Sequence, residues 1–217
     1  MRFFIGMRGV GWCVVLGLAF GGALAVAALP AASGAAASAA EMARAEEIVQ
    51  GKCFMCHGID GESSSPLFPR LAGQHAAYVA RQLADYKSGR RVSSVMRPMV
   101  DDLSEADFRA LGAWFAAKPG QAHPVADPEL ARMGELIYAR GNPYSGVAAC
   151  AACHGPQAHG TDALPRLAGQ HAQYTENQLK AFGKRERTND NAVMHVVASR
   201  LTELEIKAVA SFLSGLQ

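Results

Sequence analysis

Two short stretches constrain this chain more than any other. Gly51 to Gly58 reads GKCFMCHG and Ala149 to Gly155 reads ACAACHG, each with two cysteines three positions apart and a histidine directly behind the second. That order is the attachment pattern of a c-type haem. Two thiols at this spacing each add across one vinyl group of a porphyrin, forming thioethers, and the adjacent histidine is then held beneath the iron. Cys53, Cys56, Cys150 and Cys153 are the expected attachment points of two covalently bound haem c groups, with His57 and His154 as iron ligands. A structural zinc site built from the paired cysteines is the competing reading. It leaves the histidine behind each pair unexplained. A thioredoxin-like redox pair would need a strand before the motif, and none is legible.

The motifs belong to a longer repeat. PRLAGQHAAYVARQL from Pro69 returns as PRLAGQHAQYTENQL from Pro165, identical through PRLAGQH. The offset is 97 residues at the cysteines, 96 at the Pro-Arg-Leu element and 98 at the closing helices, so the chain is an internal duplication with small length changes in its loops. Each copy reads as helices joined by long polar, glycine-rich loops, without the alternation of a sheet. A short helix over 43–50 leads into the first motif, and one over 129–139 leads into the second. Ser104 with Asp107, and Thr202 with Glu205, form capping boxes for the closing helices, and Leu103 with Phe108 and Leu201 with Ile206 complete hydrophobic staples. The expected architecture is all-α, with two tandem cytochrome c domains at 41–119 and 129–217. A proline-rich linker spans 120–128, and a signal segment or anchor occupies 1–40. Units of this size bury little apolar surface by themselves. A large apolar cofactor would complete each core.

The N-terminus carries Arg2 and Arg8, an apolar run from Val10 to Leu29, and small residues including Ala37-Ser38-Ala39. This is the layout of an export signal. The run is also long enough to span a bilayer, which keeps an uncleaved anchor open as the second reading. Without Arg2 and Arg8, Lys plus Arg falls from 21 to 19 and matches the 19 Asp plus Glu, so the remaining polypeptide is formally neutral and shows no basic face for nucleic acid. Of the five cysteines only Cys13 lies outside the motifs, in the N-terminal segment, so the exported chain has no thiol to spare for a disulfide.

The sixth iron ligand separates electron carriage from catalysis, because an open iron face binds small ligands. Met194 is the candidate in the second copy, since Met133 precedes the motif. In the first copy the choice lies between Met96 and Met99; Met96 stands seven residues before Leu103 as Met194 stands seven before Leu201. Met99 is expected to pack against the cofactor. His75 and His171 are rival ligands that come too soon after the motifs to reach the opposite face easily. His195 is expected to be exposed, and His123 and His159 carry no argument. Pro69 and Pro165 are expected to offer backbone carbonyls to the second ring nitrogens of His57 and His154.

With the two motifs, the two PRLAGQ elements, the paired methionines and RTND at Arg187 to Asp190, the sequence resembles the cytochrome c4 family from about Glu41 to Gln217. The resemblance implies two class I domains, both haems ligated by histidine and methionine (His57 with Met96, His154 with Met194), and residence in the periplasm, often with membrane association. It also implies single-electron transfer between respiratory components such as a cytochrome c reductase and a terminal oxidase. A dihaem peroxidase is the alternative from the enzyme class and needs an iron open to peroxide. A fixed electron-entry subunit of a membrane oxidoreductase is a third reading. Arg90-Arg91 and Lys184-Arg185-Glu186-Arg187 read as solvated charge runs or as docking charges for such a partner.

Overall fold

Local sequence signals set where each helix starts. In the computed structural model residues 37–217 are described; residues 1–36, which hold Cys13 and most of the export signal, lie outside the described residues. Helix α1 (Ala39–Ile48) begins earlier than the sequence suggested, because Ser38 and Glu41 form a capping box. A π-helical turn (Val49–Cys53) then carries the chain without a break into α2 (Phe54–His57). The remaining first-copy helices are α3 (Ala76–Ser88), α4 (Met96–Val100) and α5 (Glu105–Ala116). The second copy repeats the order as α6 (Pro128–Arg140), α7 (Ala151–His154), α8 (Ala172–Gly183), α9 (Val193–Ala198) and α10 (Glu203–Ser214). Asp127 caps α6 and Pro128 opens it, at the position where a missing N–H costs nothing. Among the described residues no β-strand forms, and one isolated antiparallel bridge joins Asn142 and Val147. None of the described helices is long and apolar enough to cross a membrane.

Each copy has its own apolar core. Ala45, Ile48, Val79, Leu103, Phe108 and Leu111 meet where α1 and α3 pack on α5. Ile137, Tyr138, Ala208, Val209 and Leu213 meet where α6 packs on α10, with α8 alongside. Both expected capping boxes are present, at Ser104 with Asp107 and at Thr202 with Glu205. Burial works against the Asp107 charge, but bonds from Ser104 and Arg44 outweigh it and pull the carboxyl down to about 2. Leu103 and Phe108 are both buried, as the staple requires.

The copies solve one local problem differently. The loop after the first motif is tied down by Trp114 of α5, whose indole N–H donates to the Ile59 carbonyl at 3.1 Å. In the second copy Phe212 occupies the corresponding place, and Tyr138 of α6 supplies the donor instead, to the Gly155 carbonyl at 2.5 Å. Both loops also pass through a left-handed residue, Gly61 (φ +79°) and Ala158 (φ 59°), whose carbonyls accept from Leu71 and Ala72, and from Leu167 and Ala168. A Cβ on Gly61 would lie 2.6 Å from the Ala72 nitrogen and 2.9 Å from a Phe115 ring carbon. Gly61→Ala should therefore cost more than about 2 kcal/mol, since backbone strain adds to overpacking. Ala158→Gly should stay within about 1 kcal/mol of the parent, because relieved left-handed strain offsets one lost buried methyl. Thermal unfolding of the two variants checks this opposite sensitivity.

Candidate functional site

The two motif histidines sit in matching settings. His57 closes α2 and His154 closes α7, and each is followed by a glycine at positive φ, Gly58 (+74°) and Gly155 (+78°), that turns the chain away. Both rings are buried, at 7% exposure each. His57 Nδ1 lies 2.9 Å from the Pro69 carbonyl and His154 Nδ1 lies 3.2 Å from the Pro165 carbonyl, the pairing expected from sequence. A carbonyl only accepts, so Nδ1 carries the proton and Nε2 keeps its lone pair. Burial lowers the pKa of both rings, outweighing these bonds, and so favours the neutral, ligating form.

Cys53, Cys56 and Cys150 are half-buried and Cys153 is exposed. Burial pushes the Cys53 and Cys150 thiols up to about 11, so both are protonated at neutral pH. Among the described residues no three His, Cys, Asp or Glu side chains converge as a metal site, so the two pairs do not assemble into a four-thiolate zinc centre. The segments joining each histidine to its methionine leave Leu67 (67% exposed), Val92 (83%) and Val193 (60%) uncovered by protein, apolar surface of the kind a porphyrin covers. Met96 opens α4 and packs against the first core, whereas Met99 is exposed. Met194 lies in the first turn of α9, with its backbone N–H held by Asp190 at 2.6 Å. Thiols, free ring nitrogens, thioethers and apolar surface together fit haem c in both copies.

What the sequence did not reveal is the junction between the copies. The side-chain amide of Gln74 donates to the Arg166 carbonyl (2.9 Å) and accepts from the Arg166 N–H (2.9 Å). Gln170 does the same to Arg70, at 3.0 Å in both directions. His75 Nε2 reaches the His159 carbonyl at 2.7 Å and His171 Nε2 reaches the Ser63 carbonyl at 2.9 Å. Such reciprocity, in which i meets j and j meets i, is the mark of an isologous contact. It explains why PRLAGQH is repeated so closely: the element meets its own copy. The rings of His75 and His171, weighed as iron ligands, are thus engaged across the junction.

Arg91, Arg187 and His195 take places other than those expected, and His123 and His159, about which the sequence is silent, lie near the junction and the C-terminus. Arg91 is only 7% exposed and Arg187 is half-buried; both form hydrogen bonds at the junction instead of extending into solvent. His195 is half-buried, its Nδ1 3.0 Å from the Phe182 carbonyl, rather than exposed. His123 of the linker has its Nε2 3.3 Å from Glu62 of the first copy, which also faces Arg70 at 3.2 Å, while its backbone N–H donates to the Ser214 carbonyl of the second copy at 3.2 Å. His159 Nε2 meets the Gln217 carbonyl at 2.9 Å.

The comparisons with known proteins agree with this geometry. Residues 138–217 match the family model "Cytochrome c", and residues 40–115 match "Cytochrome C oxidase, cbb3-type, subunit III". Cytochrome c4 of Thiocapsa roseopersicina is 43% identical over 175 residues, covering 79% of this chain and 90% of that protein. The "Thiosulfate dehydrogenase electron acceptor" of Thiomonas intermedia (strain K12) is 38% identical over 220 residues, covering 99% and 94%. The crystal structure of reduced recombinant cytochrome c4 from Pseudomonas stutzeri superposes with a TM-score of 0.77 at 37% identity, covering 84% of this chain and all of that one.

Replacing Gln74 or Gln170 by Ala leaves a backbone N–H and C=O of the opposite copy without partners, and each change should cost about 2 kcal/mol. Because the two amides serve one contact, the double variant should fall short of the sum of the singles. Calorimetric unfolding of the four proteins measures that coupling, and loss of the junction should split the transition in two.

Proposed function

The chain belongs to the cytochrome c4 family of periplasmic dihaem electron carriers, and on that premise we propose that His57 with Met96 and His154 with Met194 ligate its two irons. The thioethers of this reading form at Cys53 and Cys56 in the first domain, residues 41–119, and at Cys150 and Cys153 in the second, residues 129–217, with 120–128 as linker. The observation that carries it is the pair of matched settings: a buried histidine whose Nδ1 is fixed on a proline carbonyl, with a methionine on an equivalent short helix. Each haem, when bound, supplies a one-electron iron couple. The chain keeps the proximal rings neutral and oriented, and offers a thioether, a soft donor that favours the reduced state. A histidine and a methionine would hold each iron and leave it to exchange electrons, in keeping with the family, whose members carry electrons and are not enzymes.

Its partners are membrane respiratory complexes in this reading. Electrons arrive from a cytochrome c reductase or a dehydrogenase and leave towards a terminal oxidase. The family match of residues 40–115 to a cbb3-type oxidase subunit supports the acceptor side. The likeness of 99% of the chain to a thiosulfate dehydrogenase electron acceptor supports a sulfur-compound dehydrogenase as donor.

Intact mass of the purified protein after acid-acetone extraction should show two haems retained per chain, and replacing Cys53 and Cys56 should remove one of them. One haem in the parent protein, or bound zinc, would overturn the assignment.

Both haems should be low-spin, reducible by ascorbate and nearly inert to carbon monoxide. Met194→Ala should open the second iron alone to carbon monoxide and Met96→Ala the first alone, while Met99→Ala should change neither. A high-spin iron in the parent protein that reacts readily with peroxide would favour the peroxidase reading.

A further inference from the structure

The two copies reach their cysteine motifs by different routes. In the first, the π-helical turn leads without a break from α1 to Cys53, whereas in the second a loop, residues 141–149, separates α6 from Cys150. That loop is fixed at several points. Asn142 and Val147 exchange backbone hydrogen bonds of 2.9 Å in both directions, the Asn142 side-chain amide donates to Glu205 at 2.7 Å, and Arg200 donates to the Gly146 carbonyl at 2.7 Å. Tyr144 stands on the loop 99% exposed, with its backbone N–H donating to the Asn142 side-chain oxygen at 3.0 Å. A pinned loop thus presents an aromatic ring to solvent.

The ring does not stand alone. Loop and helix border an open groove of about 550 Å³, lined mainly by Met133, Leu136, Ile137, Arg140, Pro143 and Tyr144. Met133, Leu136 and Arg140 recur at helical spacing on one side of α6, and the two apolar side chains are 40% and 55% exposed. The fold does not demand this, since the counterpart α1 shows Arg44, Glu46 and Glu47 to solvent. The surroundings are cationic. Arg132 is paired with Glu129, but Arg140 and Arg200 meet no carboxylate among the described residues, and Glu205, which also lines the groove, is engaged by Thr202 and Asn142. Glu135, the other exposed carboxylate of α6, falls on the far flank of the helix.

The groove is also close to the motif. Ile137 both lines it and belongs to the second core, the next residue, Tyr138, donates to the Gly155 carbonyl directly behind His154, and the loop itself runs into Cys150. An apolar centre, a fixed aromatic ring and unpaired cations beside them have the makeup of a protein docking site. By charge complementarity they call for a partner whose own apolar patch is ringed by carboxylates.

We propose that the groove between α6 and the 141–149 loop is the docking face for a protein of the membrane respiratory chain that presents such an acid-rimmed apolar patch. One electron then passes between the second domain and the partner's redox centre, one being oxidised as the other is reduced. This rests on the electron-carrier reading above and assigns the exchange to the second copy. Tyr144 and Leu136 anchor the partner, and Arg140 and Arg200 steer it.

The test uses the full-length holoprotein as parent, Tyr144→Ala, Leu136→Asp and Arg140→Glu, with Glu46→Lys as a charge change on α1. Intact mass, the visible spectrum and the two potentials come first; a missing haem or an open iron in the parent would count against the electron-carrier reading itself, whatever the groove does. Membranes of the source organism are the probe, in two arms. One measures oxygen uptake with the ascorbate-reduced protein, and the other measures reduction of the oxidised protein by a quinol with the oxidase blocked by cyanide. In at least one arm Tyr144→Ala and Leu136→Asp should raise KM by about tenfold with kcat little changed, the size expected for an interface anchor. Arg140→Glu should raise KM in the same arm and flatten its increase with ionic strength, while Glu46→Lys should behave as the parent. Parent-like KM in both arms for the three groove variants would overturn the proposal, and so would an equal rise in Glu46→Lys. Vesicles of anionic phospholipid separate a lipid contact from a protein one: binding by the parent that Tyr144→Ala and Leu136→Asp abolish would assign the face to the membrane surface and overturn the proposal. Because Tyr144 is 99% exposed, its removal leaves the core untouched, and Tyr144→Ala decides the matter even if Leu136→Asp fails to fold.

Discussion

The rest of the structure depends on the segment that runs from each Pro-Arg-Leu element into its Gly-Gln-His. On one side the carbonyl of Pro69 or Pro165 fixes the motif histidine; one residue further on, Arg70 or Arg166 is clamped at both its N–H and its C=O by a glutamine of the other copy. The same backbone therefore orients the motif histidine and joins the two halves. A shift of either Gln74 or Gln170 is felt one peptide away from the bond that sets a motif histidine ring. The two sets of bonds fall on neighbouring residues, and they do so in both copies.

Duplication makes this economical. An isologous contact needs only one self-complementary surface, so a single set of residues serves both sides. The copies also differ, both away from that surface and beside it. Trp114 and Tyr138 each tie the loop after their motif, by bonds to neighbouring carbonyls from opposite helices of their cores, and Gly61 and Ala158 hold the same left-handed turn. Glu62 and Asp85 give the first copy carboxylates beside the junction, where the second places His159 and Ala181.

Short-range features were legible from the sequence. The cysteine spacing, the histidine behind each pair, the two capping boxes and the proline carbonyls all act within about a dozen residues, and chain geometry leaves them little freedom. The limits of that reading were local too. The first helix starts earlier than expected because Ser38 caps it, and the wider turn before Cys53 follows no periodic pattern.

What the sequence by itself determined is therefore the chemistry of each copy: two thiols, one histidine and one methionine in a repeated order, enough to specify two like cofactor sites on an all-α fold. Only the tertiary structure decided where the repeated PRLAGQH, Arg91 and Arg187 sit. Arginines that look solvated in a linear run are drawn into the junction, because their partners, Tyr174 and Gln178 for Arg91 and Tyr78 and Gln82 for Arg187, lie 83 to 109 residues away along the chain. Periodicity and spacing report neighbours along a helix or a loop. A contact between two copies of one surface leaves no such trace, and it becomes visible only once the copies are folded against each other.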